Sequence, residues 1–111
     1  NISSFKMHSE NSETIECIKN ADILYINRND FEVLIKSSHN IKNIYTNILE
    51  EYTALHIKRF EVLNTFNLEK KLLHLKNDFP NLTNELNDNL LASFLGISRI
   101  HFVNNKHLLY K

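Results

Sequence analysis

Residues 88–102 have the sequence DNLLASFLGISRIHF, which predicts two short helices joined by a tight turn. Asp88 is a residue type that caps helices, and the leucines after it are spaced to lie on one inner face. Gly96 can adopt the positive φ that ends a helix, Ser98 can cap the second helix, and Phe102 can pack it down. This pattern predicts a helix-turn-helix, whose second helix enters the major groove of DNA. The alternative is an αα-corner that only completes a core.

The second helix of this pair contains residue types that can contact DNA. Arg99 could bind guanine through two hydrogen bonds, and Asn104 could bind adenine. Lys106, His107 and Lys111 could contact phosphates. The alternative is that these are solvated polar residues on the last helix. The predicted DNA-contacting residues are Ser98, Arg99, Ile100, His101, Asn104 and Lys106.

Upstream, the apolar pattern predicts a long helix over residues 40–64. A row of apolar residues recurs there at seven-residue intervals, which keeps one seam facing a partner helix. About 25 residues span roughly 37 Å. So small a chain has few other residues that could bury the apolar face of such a helix, which favours a partner helix. The alternative is an amphipathic helix that faces the core of its own domain. The predicted dimer interface consists of Ile41, Ile44, Tyr45, Ile48, Tyr52, Leu55, Arg59 and Val62.

The N-terminal third is predicted to contain strands. Residues 14–19 alternate between apolar and polar, and residues 23–26 (ILYI) are rich in strand-forming types. The short polar turn between them predicts a β-hairpin. A lone hairpin is marginal in water, so these strands are expected to need partners that the sequence does not contain. Asn29 or Asp30 is predicted to cap a short helix that runs to Lys36.

Three segments together resemble regulators of the Crp/Fnr family. Residues 91–98 (LASFLGIS) resemble that family's helix-turn-helix, particularly in the short members from Bacteroidetes. Residues 69–75 (EKKLLHL) and 79–82 (FPNL) are similar to its preceding helix and connector, and residues 23–31 (ILYINRNDF) to its last β-roll strand and the helix start after it. The resemblance implies a mainly α, α+β fold with the remnant of a cyclic-nucleotide-binding-like β-roll, a long dimerisation helix and a helix-turn-helix.

The implied organisation divides the chain into three parts. Residues 1–39 would be the C-terminal part of the effector β-roll with its short helix, and residues 40–66 the dimerisation helix. Residues 67–111 would be the helical DNA-binding domain, with the helix-turn-helix at 88–106. The family's phosphate-binding segment contains arginine, whereas residues 9–12 here are SENS. A cyclic phosphate needs a guanidinium or a nest of backbone amides, so an effector, if there is one, is expected to be another small molecule.

The composition excludes several other classes of protein. Thirteen basic residues balance thirteen acidic ones, so any DNA contact must come from a local basic patch. A single glycine excludes glycine-rich nucleotide-binding loops. Cys17 is the only cysteine, which suits a reducing cytoplasm. No apolar run has membrane-spanning length, and the first residues of the sequence do not show the basic-then-apolar pattern of a secretory signal.

The six histidines do not have the spacing of metal ligands, and nothing resembles an activated nucleophile. We therefore expect no enzyme activity, metal or cofactor. The prediction is a homodimeric, cytoplasmic transcription regulator that binds duplex DNA and does not enter a membrane. In the family, glutamate often stands where Ile100 lies and arginine where Asn104 lies. Those departures, the neutral charge and the missing β-wing motivate an alternative, a dimeric interaction module that has lost sequence-specific DNA binding.

Overall fold

The computed structural model describes residues 2–111, with side chains from Phe5 onward, and about 70% of the chain is helical. The described residues form seven α-helices and one C-terminal 3₁₀ helix. These are α1 (Ile2–Met7), α2 (Arg28–Ser37), α3 (His39–Thr65), α4 (Leu68–Asp78), α5 (Leu82–Glu85), α6 (Asp88–Leu95), α7 (Arg99–Asn105) and the 3₁₀ helix (Lys106–Tyr110).

The predicted β-hairpin does not form. Residues 2–111 contain no strand, and residues 8–27 are exposed and lie in neither a helix nor a strand. The side chains of Ile15 and Leu24 are 84% and 101% exposed. A β-rich pattern forms a strand only where a neighbouring strand and a covering layer stabilise it, and nothing in the described chain covers these residues. The α+β fold class and the β-roll remnant are therefore wrong, and the fold is all-α.

The chain divides into two compact units, and the boundary between Leu49 and Glu50 falls within α3. None of the helices in residues 2–111 is both long enough and apolar enough to cross a membrane.

A small aromatic cluster holds the first unit together. The ring of Phe31 on α2 makes edge-to-face contacts with Phe5 and with Tyr45 on α3, at centroid distances of 5.3 Å and 4.8 Å. The Arg28 guanidinium lies 5.3 Å from the centroid of Phe5. Such contacts contribute about 0.5–1.5 kcal/mol each beyond their burial. All of these side chains are only half-buried, so the first unit has a thin core.

The second unit has a continuous apolar core. Leucines three or four residues apart on α4 and on α6 place their side chains on one face of each helix. Burying one leucine or phenylalanine side chain contributes roughly 1.5–3 kcal/mol. The buried cluster consists of Leu72, Leu75, Leu91, Ala92, Leu95, Phe102 and Leu109.

The turn between α6 and α7 has the predicted left-handed glycine. Gly96 has φ 63° and ψ 39°. The amide N of Gly96 donates to the carbonyl O of Ser93 at 3.1 Å, and that of Ile97 donates to the carbonyl O of Ala92 at 3.0 Å. This is a Schellman motif, which satisfies the last carbonyls of α6 and reverses the chain.

The N-termini of both helices in this pair are capped. The side-chain oxygen of Asn87 accepts from the amide N of Leu90 at 3.0 Å, so α6 is capped one residue earlier than Asp88, which is its first helical residue. The hydroxyl of Ser98 accepts from the amide N of His101 at 3.1 Å, as predicted. Each such cap stabilises a helix by about 1 kcal/mol.

We expect Gly96→Ala to lower the free energy of unfolding by about 1–2 kcal/mol, because a left-handed conformation costs an ordinary L-residue roughly that much. A Cβ at this position would also lie 2.7 Å from Cδ2 of Leu63, a contact that the end of that side chain can relieve by moving. Gly96→Asn is the matched control: it adds the same Cβ but tolerates left-handed φ better, so it should lose less stability. Chemical denaturation followed by circular dichroism measures both variants. Wild-type stability in Gly96→Ala would contradict the described turn.

Candidate nucleic-acid interface

One face of α7 is buried and the opposite face is exposed. Phe102 is 1% exposed and anchors the helix in the core of the second unit. Ile100 is 73% exposed and Val103 is 37% exposed, while Arg99 and Asn104 are also exposed. Residues three and four positions apart share a helix face, so these four side chains form one continuous outward surface, which we call the α7 face.

The six predicted DNA-contacting residues fall into three groups. Arg99, Ile100, His101 and Asn104 all lie on exposed positions of α7. Ser98 is exposed but its hydroxyl already accepts the capping hydrogen bond. Lys106 is half-buried and its side chain is engaged within the fold.

Lys106 pairs with a residue at the start of α6. Its Nζ lies 3.0 Å from Oδ2 of Asp88 and 3.3 Å from Oδ1. The two residues lie 18 positions apart, so the pair ties the end of α7 to the beginning of α6. Asp88 therefore has a tertiary role that its sequence pattern did not indicate, and a Lys106 held by a carboxylate is less free to contact phosphate.

Val103 also belongs to the α7 face, although it was not among the residues predicted from the sequence. It follows Arg99 by four residues and Ile100 by three, and its exposure completes the apolar part of the surface. The i, i+3 and i, i+4 spacing was the signal that could have found it. Residues 88–111 contain three Lys or Arg residues and one acidic residue, so this segment has a small positive excess although the whole chain is neutral.

In the first unit, the predicted dimer residues are partly uncovered. Ile44 and Ile48 are 58% and 56% exposed. Ile41 and Tyr45 are half-buried, and Tyr45 contacts the ring of Phe31. The two exposed isoleucines are four residues apart and therefore lie on the same face of α3.

In the second unit, the same heptad row changes its environment along α3. Tyr52 and Leu55 are 43% and 65% exposed, and Arg59 is half-buried. Val62 has 0% exposure and lies inside the second unit. A partner helix could not contact Val62 without opening that unit, so this residue belongs to the protomer core and not to a seam.

No known family model, curated protein sequence or solved structure matches the chain. The likeness to Crp/Fnr regulators therefore rests on the quoted sequence segments alone, and in one of them the expected strand at residues 23–26 does not form. Among residues 2–111, no three His, Cys, Asp or Glu side chains gather into a group that could hold a metal ion.

We expect Asp88→Asn and Lys106→Gln each to lower the free energy of unfolding by less than about 1 kcal/mol, because both side chains are partly solvated. The double variant should lose little more than either single variant, since both remove the same pair. Lys111→Gln is the control for loss of a positive charge alone. Denaturation curves of the wild type, the two single variants and the double variant give the coupling energy of the pair. Strictly additive losses would show that the pair does not stabilise the fold.

Proposed function

We propose that this protein is a homodimeric, non-enzymatic transcription regulator that binds duplex DNA in the cytoplasm and does not depend on a cyclic nucleotide. The observation that carries the proposal is the corner formed by α6, the left-handed Gly96 and α7, which leaves the α7 face exposed. In helix-turn-helix proteins, the recognition helix is a short helix with one face packed on the domain core and the other face exposed, and the exposed face enters the major groove.

The chemistry of the α7 face suits base edges. The Arg99 guanidinium can donate two hydrogen bonds to O6 and N7 of guanine, and Asn104 can pair with N6 and N7 of adenine. Ile100 and Val103 supply the apolar surface that contacts a thymine methyl group. Each good bidentate contact contributes about 1–3 kcal/mol of discrimination, so this face has the means to distinguish sequences.

A second copy would supply the second half of the binding site. With seven residues, α7 can reach only a few base pairs. Helix-turn-helix dimers place two recognition helices about 34 Å apart, one turn of DNA, and bind half-sites with that spacing. Ile44 and Ile48 support the dimer, because they are large apolar side chains that lie exposed on one face of α3.

We expect Arg99→Ala to weaken binding to the preferred duplex by about tenfold or more, because it removes a bidentate base contact. The preferred duplex is first selected from a random pool at about 50 mM salt, where phosphate contacts are strong. Lys42→Ala removes the same charge from an exposed site on α3 and serves as the control, which should bind nearly as wild type. Fluorescence anisotropy measures the affinities.

Two outcomes would contradict DNA reading. Enrichment of no sequence from the pool would exclude specific recognition by the wild-type protein. Equal loss in Arg99→Ala and Lys42→Ala would mean that only charge matters, as in non-specific binding. Either result would favour the alternative, a dimeric interaction module.

We expect Ile48→Lys to sediment as a monomer at micromolar concentration, because a charge in an apolar seam loses its hydration on association. Asn43→Lys introduces the same side chain at an exposed position on another face of α3 and should sediment like wild type. Analytical ultracentrifugation distinguishes the species. A monomeric wild type, or a dimeric Ile48→Lys, would show that the heptad row is not a seam.

A further inference from the structure

A cavity of about 250 Å³ lies in the second unit, bounded by α3, α4 with the residue that follows it, and α6. Its walls are largely apolar. Leu55 forms one side, and the rings of Phe79 and Phe94 form another, in an edge-to-face pair with centroids 5.2 Å apart. The volume lies just below the range of about 300–1,000 Å³ usual for ligand sites, so the cavity fits a compact group such as a single ring.

Arg59 brings a positive charge into this apolar wall. Its Cζ lies 4.2 Å from the centroid of the Phe94 ring, in a cation–π contact. Its Nη1 is buried and has no hydrogen-bond partner in the described part of the chain. Burial lowers the pKa of Arg59 from its ordinary value, although the guanidinium stays protonated at any physiological pH. A buried donor atom without an acceptor costs free energy until a partner satisfies it.

The charges around the cavity leave this donor without an anion. No Asp or Glu of the described chain lines the cavity, and the other basic lining residues are Lys58, His56 and His74. Lys58 pairs with Glu61 at 2.9 Å and His74 with Asp78 at 2.5 Å, and neither acid lines the cavity. Within residues 5–111, Arg59 forms no ion pair. The cavity therefore combines aromatic walls with an unneutralised guanidinium.

We propose that this cavity binds a small apolar monocarboxylate. The carboxylate accepts hydrogen bonds from the Arg59 guanidinium, and the apolar body packs against Phe79 and Phe94. Guanidinium and carboxylate groups match in geometry, and charge-assisted hydrogen bonds are about twice as strong as neutral ones. The ligand would satisfy the buried donor and fill the apolar space together. This site does not depend on DNA binding, but it requires that a dimer seam leave Leu55 and Arg59, which also belong to the predicted interface, uncovered.

The test uses the ¹⁵N-labelled full chain and a matched pair of probes, phenylacetate and 2-phenylethanol. Both carry the same ring, but only the first carries a carboxylate. We expect phenylacetate to shift the Nε–H signal of Arg59 and the backbone amides of Phe79 and Phe94 in two-dimensional NMR spectra. We expect 2-phenylethanol to bind about tenfold more weakly or worse, because it cannot form the charge-assisted bonds.

Two variants locate the site and allow for a folding defect. Arg59→Gln should weaken phenylacetate binding by about tenfold or more, whereas Arg99→Gln, which removes an exposed guanidinium on α7, should leave it unchanged. Leu55→Trp keeps Arg59 but fills the cavity from a position that is 65% exposed, so this variant is expected to fold and to lose binding.

The proposal would be overturned if phenylacetate caused no shifts at about 10 mM, or if the alcohol bound as well as the acid. Undiminished binding in Leu55→Trp would also overturn it. Shifts of the cavity signals that followed protein concentration and not ligand concentration would mean that a second copy occupies the cavity, and would likewise exclude a ligand site.

Discussion

The left-handed backbone at Gly96 is the constraint on which the second unit depends. Leu95 immediately before it and Phe102 soon after it are 0% and 1% exposed, so the chain must reverse between two residues that both enter the core. Burying each of these side chains contributes roughly 1.5–3 kcal/mol. A turn that pointed α7 elsewhere would lose at least one of them. The core and the Schellman turn therefore fix the same direction for α7, and that direction leaves the α7 face exposed.

The elements that could be predicted from the sequence are those whose signals are local. Ser98 caps α7 as the residue pattern indicated, because a cap bonds an amide only three residues away. The cap of α6 was placed one residue late, since Asn87 and Asp88 are equally good capping types. The hairpin was wrong for the opposite reason: two paired strands need further strands or a covering layer, and local strand propensity does not supply them.

Part of the site could not be predicted, because the same heptad pattern on α3 includes both exposed and buried residues. Ile48 and Val62 are two seven-residue repeats apart, which says only that they share a face. Val62 is buried by its own unit, whereas Ile48 is exposed. The contact of Arg59 with Phe94 and the pair of Asp88 with Lys106 join residues far apart in sequence. Sequence spacing does not reveal such contacts. Arg59 was therefore predicted to lie in the dimer interface, and Lys106 was predicted to contact DNA.

The ion pair of Lys106 with Asp88 connects the two parts of the proposed function, DNA binding and dimerisation. Non-specific affinity for DNA grows with the number of phosphates that a protein neutralises. Residues 88–111 contain only three Lys or Arg residues, and one of them, Lys106, pairs with Asp88. One α7 face alone would therefore bind weakly, with most of its free energy in base contacts. Joining two such faces makes the second binding event intramolecular, with an effective concentration that can raise the overall affinity by about 10²–10⁴. If the protein reads DNA as proposed, two copies joined through α3 would supply the affinity that one α7 face lacks.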